Sequence, residues 1–221
     1  MNMAQKVRVW DLPVRVFHWL TVLLFGLLWW TAEQGEMQWH QLCAYLLLIN
    51  LSVRIVWGFI GSLPARFSHF VVSPQTVVKY WRQQYRQHHA GHNPLGGYMV
   101  LALMCLLVLQ LGSGMFATDD IFIEGPLYSL VSDEVAHGFT WLHKRNFDLL
   151  LILIAVHISA VLVHEFYGNR LVCALISGNK TLPDGVMIAE QPGLGWRWWL
   201  LLLLIAVPIT YWLILPLLAS W

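Results

Sequence analysis

The chain has 221 residues, 58% of them hydrophobic and only 11% charged, with a formal net charge of +1. A soluble domain carries about a quarter of its residues as charges, so a water-solvated globule is excluded and an integral membrane protein is indicated. Thirteen tryptophans and a mean hydropathy of +0.60 agree, because indole rings collect at the headgroup level of a bilayer. Lipid is therefore an expected partner and nucleic acid is not.

The first apolar segment covers about 14–31 and contains Arg15 and His18. A secretory signal also begins basic and apolar. This run is long and bulky and ends without a small-residue cleavage site, so it reads as a retained helix. The second segment, about 40–60, opens on His40 and contains Arg54. Between it and the third, "SPQTVVKYWRQQYRQ" starts with Ser73 as a helix cap and Pro74 at the first helical position. Val77, Trp81 and Tyr85 recur every fourth residue there, which predicts an amphipathic helix lying on the membrane surface.

The third segment, about 97–116, holds Gly112 and Gly114, and the fourth, about 146–164, holds His157. The fifth, about 198–219, follows a polar connection from Glu165 to Arg197 and contains Pro208 and Pro216, which predict a bend. Each segment approaches the roughly 20 residues a helix needs to cross the hydrocarbon core. Cys43, Cys105 and Cys173 are scattered through apolar stretches. With no CxxC pair they read as buried thiols, and the absence of CxxCH excludes covalent c-type haem attachment.

Basic residues set the expected orientation. With the N-terminus inside, eleven of the thirteen lysines and arginines fall on the cytoplasmic side, and Lys144 and Arg145 are the exceptions. Glu33, Glu36, Asp119, Asp120, Glu124, Asp133 and Glu134 gather outside. The expectation is a multi-pass protein of the bacterial inner membrane, N-terminus cytoplasmic and C-terminus periplasmic.

Four of the ten histidines stand where ionisable groups are costly. His143 and His157 are fourteen residues apart, which is about 21 Å of helix and two heptads, so both point to one face of a left-handed bundle. Helix one runs outward and helix two inward, so depth pairs His18 with His157 and His40 with His143. Two imidazoles without a thiolate or carboxylate make a poor zinc site, because zinc takes four ligands. Haem brings four ring nitrogens and needs only two axial ligands. Two stacked bis-histidine haems, serving electron transfer without an open iron site, fit the pattern.

Arg54 lies fourteen residues after His40 and could pair haem propionates, and Arg15 could serve similarly; snorkelling to the headgroups is the alternative for both. Gly112 and Gly114 leave room for a flat ring or for close helix packing. His164, one heptad below His157, could hydrogen-bond a quinone carbonyl or a propionate, or simply lie at the interface. His88, His89 and His92 form "HHAGH", which reads as a solvated loop cluster more readily than as a metal site, and His69 and His137 read as ordinary.

"RVFHW" at 15–19, the His40 and Arg54 pair, "GHNPLGG" from Gly91, and the His143–His157 spacing together resemble the bacterial cytochrome b561 and hydrogenase-type cytochrome b family. "LVCALISGNK" at 171–180 resembles the family's segment after helix four, with Leu175 and Ser177 departing from it. The resemblance covers roughly residues 6 to 181 and weakens beyond. It implies residues 1–181 as a four-helix core holding two haem b groups, with 182–221 as linker and fifth transmembrane helix. It also implies electron transfer between the quinone pool and a redox partner.

"SGMFATDDIFIEGPL" at 113–127 most resembles the branch that works with periplasmic c-type cytochromes, which makes such a cytochrome the first expectation for the partner. The alternative is the cytochrome b anchor of a periplasmic hydrogenase or formate-type dehydrogenase, reducing quinone. A non-redox, histidine-lined metal transporter is the alternative of another class. The quinone is expected at the inner haem, near His164 and Asn93.

Overall fold

The structure is a computed structural model and describes residues 5–82, 91–120, 123–182 and 195–221. His88 and His89 of the loop cluster, together with Tyr85 and Arg86, lie outside the described residues. Five helices are long and apolar enough to cross a membrane: α1 (Leu12–Glu33), α2 (Met37–Ile60), α5 (Pro94–Gly114), α6 (Asp133–Phe166) and the terminal stretch Gly195–Ala219. Short helices α3 (Phe67–Phe70), α4 (Pro74–Arg82) and α7 (Leu171–Ser177) connect them. The protein is thus an all-α, multi-pass membrane bundle, with one small addition. Strands β1 (Gln5–Arg8) and β2 (Asn179–Leu182) pair antiparallel, with Gln5 opposite Leu182 and Arg8 opposite Asn179.

That ribbon marks one end of the bundle, called the ribbon end here; the hairpin-like connection 115–132 marks the loop end. Aromatic residues crowd both, with Trp81, Trp196 and Trp199 exposed at the ribbon end and Trp29, Trp30, Trp39 and Trp221 at the loop end. This is where a bilayer would place its two headgroup layers.

Capping chemistry sets the starts of the helices. Asp11 accepts from the Val14 amide and Asn93 from the Gly96 amide, each just before a proline-containing first turn. α6 is longer than its apolar stretch foretells, 34 residues instead of about 19. Its first turns are polar, so hydropathy hides them, yet Asp133 and Glu134 sit in the first turn where the helix dipole favours acids. At about 51 Å it exceeds a hydrocarbon core of about 30 Å and carries the loop end outward. In the fifth crossing, Pro208 lies inside α8 (Gly195–Ile209), and the chain then makes a π-turn over Thr210–Ile214 before α9 (Leu215–Ala219). A missing N–H displaces the hydrogen-bond ladder, and a π-bulge absorbs the mismatch. On α4, Tyr80 is the buried side chain and Trp81 is exposed, which gives the surface helix one protein-facing and one lipid-facing side.

Packing makes α2 the centre of the molecule. It lies along α1 on one side and α8 on another, and it touches α5. Val14, Ile49, Val53, Trp57 and Trp198 bury one cluster where α1, α2 and α8 meet. Leu24, Leu47, Leu51, Met104, Leu107 and Leu150 bury a second among α1, α2, α5 and α6. Lipid tails are as apolar as leucine, so dispersion and interhelical hydrogen bonds carry this association. Asn50 donates to Phe17 O and Thr21 Oγ1, both at 3.0 Å, and Asn146 donates to Leu106 O at 2.9 Å. Helices α1 and α2 form one antiparallel pair and α5 and α6 the other. The pairs meet chiefly through α2 and α5, and α1 has little direct contact with α6. The four histidines face one another across this seam.

Candidate cofactor site

His18 on α1 and His157 on α6 approach with ring centres 6.5 Å apart, and His40 on α2 and His143 on α6 approach to 6.4 Å. Neither pair is hydrogen-bonded ring to ring. An imidazole nitrogen binds a metal at about 2.0–2.1 Å and lies about 1.1 Å from its ring centre, so two rings on opposite sides of one metal have centres about 6.3 Å apart. Both pairs meet that spacing. Among the described residues no group of three or more His, Cys, Asp or Glu side chains converges. Each site therefore offers two imidazoles and needs its remaining donors from the bound group. The residues present fit a planar group such as haem.

The loop-end pair is held by the protein itself. His40 Nδ1 lies 3.0 Å from Leu28 O, and Thr31 Oγ1 stands 3.4 Å away. His143 Nδ1 lies 2.9 Å from Gln110 O. A carbonyl accepts only from an N–H, so each ring carries its proton on Nδ1 and turns the lone pair of Nε2 towards the seam, the arrangement that orients ligating histidines. Gln110 Oε1 accepts from Asn146 Nδ2 at 2.6 Å and its amide N–H donates to His143 Nε2 at 3.1 Å, a hydrogen bond that must give way before that nitrogen ligates a metal. Of the two glycines in this stretch, Gly114 is the one the site uses. A Cβ there would come within 2.9 Å of His143 Cε1, whereas Gly112 faces open space.

The ribbon-end pair is different. His18 Nδ1 is buried without a hydrogen-bond partner. Arg54, 3% exposed, stacks over Phe17 and Phe67 at 5.8 and 5.4 Å, and its Nη1 is also buried and unpartnered. Asp11 acts on Arg54 electrostatically, but its carboxylate already accepts from Val14 N, Trp57 Nε1 and Ser62 Oγ.

Arg15 turns elsewhere. Its guanidinium donates to Leu175 O at 3.1 Å and to Ile176 O, so it neutralises the carbonyl end of α7 and is not available to a group between His18 and His157. The αL turn at Gly178 completes that cap with φ of 82°, and Gly178 O accepts from Val9 and Trp10. The segment after helix four is thus pinned to the N-terminus.

Asn93 and His164 come together at the ribbon end, 3.5 Å apart through Asn93 Nδ2 and His164 Nε2, with the Asn169 amide 3.1 Å from Nδ1. Asn93 Oδ1 is committed to Gly96 N, so Asn93 donates to Nε2.

His92 is not a solvated loop residue. Its ring lies between Trp10 and Phe70, with centres 4.6 and 4.7 Å away, and its Nδ1 is buried without a partner. Burial, and then the nearby charge of Arg54, lower its pKa to about 3, so the ring is neutral at any physiological pH. Sequence reasoning missed it because the contacts that bury it come from residues 10 and 70. The polar run Gln110, Ser113 and Gly114 inside an apolar helix was the readable signal for the shell around His143.

A multi-pass helical membrane protein with paired intramembrane imidazoles at metal-sharing distance defines a class, the membrane cytochromes. The family model described as prokaryotic cytochrome b561 matches residues 9–178, most of the chain, and the protein belongs to that family of haem b proteins. Among curated relatives, a probable Ni/Fe-hydrogenase B-type cytochrome subunit of Rhizobium leguminosarum bv. viciae is 23% identical, covering 81% of this chain and 91% of the relative. Subunits of the same description from Rhodobacter capsulatus and Azotobacter chroococcum mcd 1 are each 22% identical, covering 81% and 80% of this chain and 83% and 90% of their own length. No solved structure matches. Membership sets aside the metal-transporter reading.

Proposed function

We propose that the protein is the membrane cytochrome b subunit of a hydrogenase-type dehydrogenase, holding two b haems and linking the enzyme to the quinone pool. The presence of two imidazole pairs, at 6.5 and 6.4 Å, carries the di-haem part. The relatives' shared description supports the partner. His18 and His157 would ligate one haem, and His40 and His143 the other. Held by these histidines, each haem would supply a ferric–ferrous couple for electron transfer.

The chain's own residues divide the remaining work. Leu28 O and Gln110 O orient the loop-end imidazoles, and the buried leucines between the layers exclude water. Arg54 offers a buried positive charge to a haem carboxylate. His164 and Asn93, brought to 3.5 Å at the ribbon end, place two polar side chains where a quinone head group would lie. The basic residues at the ribbon end support a cytoplasmic N-terminus and a periplasmic C-terminus in the bacterial inner membrane.

The deciding experiment is purification of the native protein in mild detergent, with pyridine haemochrome analysis and identification of associated subunits. Two haems per chain and a hydrogenase-type catalytic subunit are expected. One haem per chain would overturn the ligand assignment, and purification without a dehydrogenase would overturn the partner. A reporter fused after Trp221 that is active only in the cytoplasm would overturn the orientation. A soluble c-type cytochrome stays as the second reading of the partner because Asp119, Asp120 and Glu124 present acidic groups at the loop end.

A further inference from the structure

We propose that Arg54 and His92 together form a carboxylate-binding site at the ribbon end, occupied by a propionate of the haem held between His18 and His157. The inference rests on the reading of that histidine pair as haem ligands. It adds a residue, His92, that neither the family resemblance nor the pairing of intramembrane histidines brings to the site.

Two buried polar atoms carry it. Arg54 Nη1 and His92 Nδ1 are both without hydrogen-bond partners among the described residues, although a buried donor left unpaired costs about 1–3 kcal/mol and a charged one more. One aromatic chain joins them: Arg54 stacks over Phe67 at 5.4 Å, Phe67 meets Phe70 at 5.8 Å, and Phe70 meets His92 at 4.7 Å. Both side chains are held by aromatic walls, Arg54 over Phe17 and Phe67, His92 between Trp10 and Phe70. Phe70 is itself seated by Gly97, where a Cβ would come within 2.7 Å of Phe70 O. Rigidly placed donors with nothing to donate to describe a site for a missing acceptor.

The chemistry of that acceptor follows from charge. Arg54 is 3% exposed and makes no direct ion pair among the described residues; the Asp11 carboxylate acts on it only from a distance, its oxygens held by three neutral donors. A buried guanidinium requires an anion to offset its desolvation. A quinone carbonyl is neutral and leaves that requirement unmet. A lipid phosphate is anionic, but Phe17 and Phe67 close over the guanidinium and leave a bulky head group no way in. A propionate of a haem ligated one residue from Phe17 is both anionic and already inside. Neutral His92 donates one hydrogen bond and Arg54 supplies the charge, so the carboxylate stays ionised without a second cation.

The test uses the full chain stripped of haem and reconstituted with haem or with its dimethyl ester, which keeps the iron and removes both anionic carboxylates. Single-site variants His143→Ala and His157→Ala tell the two sites apart. In the wild type the ribbon-end site should take the ester at least tenfold more weakly than haem. That discrimination should shrink severalfold in His92→Phe and in Arg54→Met, and His92→Gln, which keeps an N–H donor, should recover part of it. In the holoprotein, His92→Phe should lower the midpoint potential of the ribbon-end haem, because a less neutralised carboxylate favours ferric iron. A threefold to tenfold change in the ferrous-to-ferric ratio is expected, tenfold being about 59 mV for one electron, with the loop-end haem unmoved. Unchanged ester discrimination and an unchanged potential in His92→Phe would overturn the site. If His157→Ala still holds two haems, the ligand assignment itself has failed instead.

Discussion

The two histidine pairs have almost the same ring separation but opposite surroundings. At the loop end both imidazoles hydrogen-bond through Nδ1 to backbone carbonyls, at 3.0 and 2.9 Å, so their orientation is set before anything binds. At the ribbon end His18 Nδ1, Arg54 Nη1 and His92 Nδ1 are all buried and unpaired, against Asn146 Oδ1 alone in the loop-end shell among the described residues. One site is preorganised by the polypeptide; the other is finished only by what it binds. Two sites built to the same spacing can thus differ in how much of their order belongs to the protein.

The sharpest way to break this comparison is to delete one ligand from each pair. His157→Ala and His143→Ala should each halve the haem content, by pyridine haemochrome, and leave complementary spectra. Titrating the haem-free protein should fill the loop-end site first, because its rings lose little further freedom on binding. Simultaneous filling would remove the distinction.

Gly114→Ala comes next. The new Cβ would stand 2.9 Å from His143 Cε1, and displacing an oriented ligand costs about 10–100-fold in metal affinity. Gly112→Ala, two residues away in open space, should leave haem binding unchanged by the same titration. A smaller and more telling effect is a reversal of sign at Arg54. Replacing it with leucine should stabilise the haem-free protein, by about 1–3 kcal/mol, since the desolvated guanidinium has only the distant charge of Asp11 to offset it. The same change should destabilise the loaded protein. Equilibrium denaturation in detergent, with and without haem, checks both signs, and equal signs would contradict the difference between the sites.

The smallest effect concerns the loop-end surface. Asp120 already pairs with His137 at 2.7 Å, and Asp133 accepts from the Tyr128 hydroxyl at 2.9 Å, so part of the acidic character there shapes the connection itself. Exposed charges are screened within about 8 Å at physiological salt. With a permanently bound hydrogenase partner, neutralising Asp119, Asp120 and Glu124 should change electron-transfer rates less than about twofold at any ionic strength. Stopped-flow rates that fall steeply with salt, and lose that dependence in the variant, would point to a soluble basic partner.

Much of the candidate site was legible beforehand. Depth arithmetic alone paired His18 with His157 and His40 with His143, and it brought Asn93 and His164 to the same end. Arg15 shows what position alone leaves open, because standing one turn before His18 says nothing about which way its side chain turns. Its actual partners are carbonyls at residues 175 and 176. His92 was misread because a loop of histidines and small residues looks solvated until Trp10 and Phe70 close over it. The first three turns of α6 were invisible to a search for apolar runs.

The sequence by itself determined what varies along one axis: which segments cross, how deep each histidine sits, and where proline disturbs a helix. Lipid imposes those properties locally, because every backbone polar group must be satisfied within its own helix and each residue's rise is fixed. The tertiary structure alone decided what depends on rotation and on distant contacts. The β1–β2 ribbon, the seam between the two helix pairs, and the unpaired polar atoms of Arg54 and His92 join residues far apart in the chain. Dispersion between particular side chains selects those arrangements, and no local pattern of hydropathy records them.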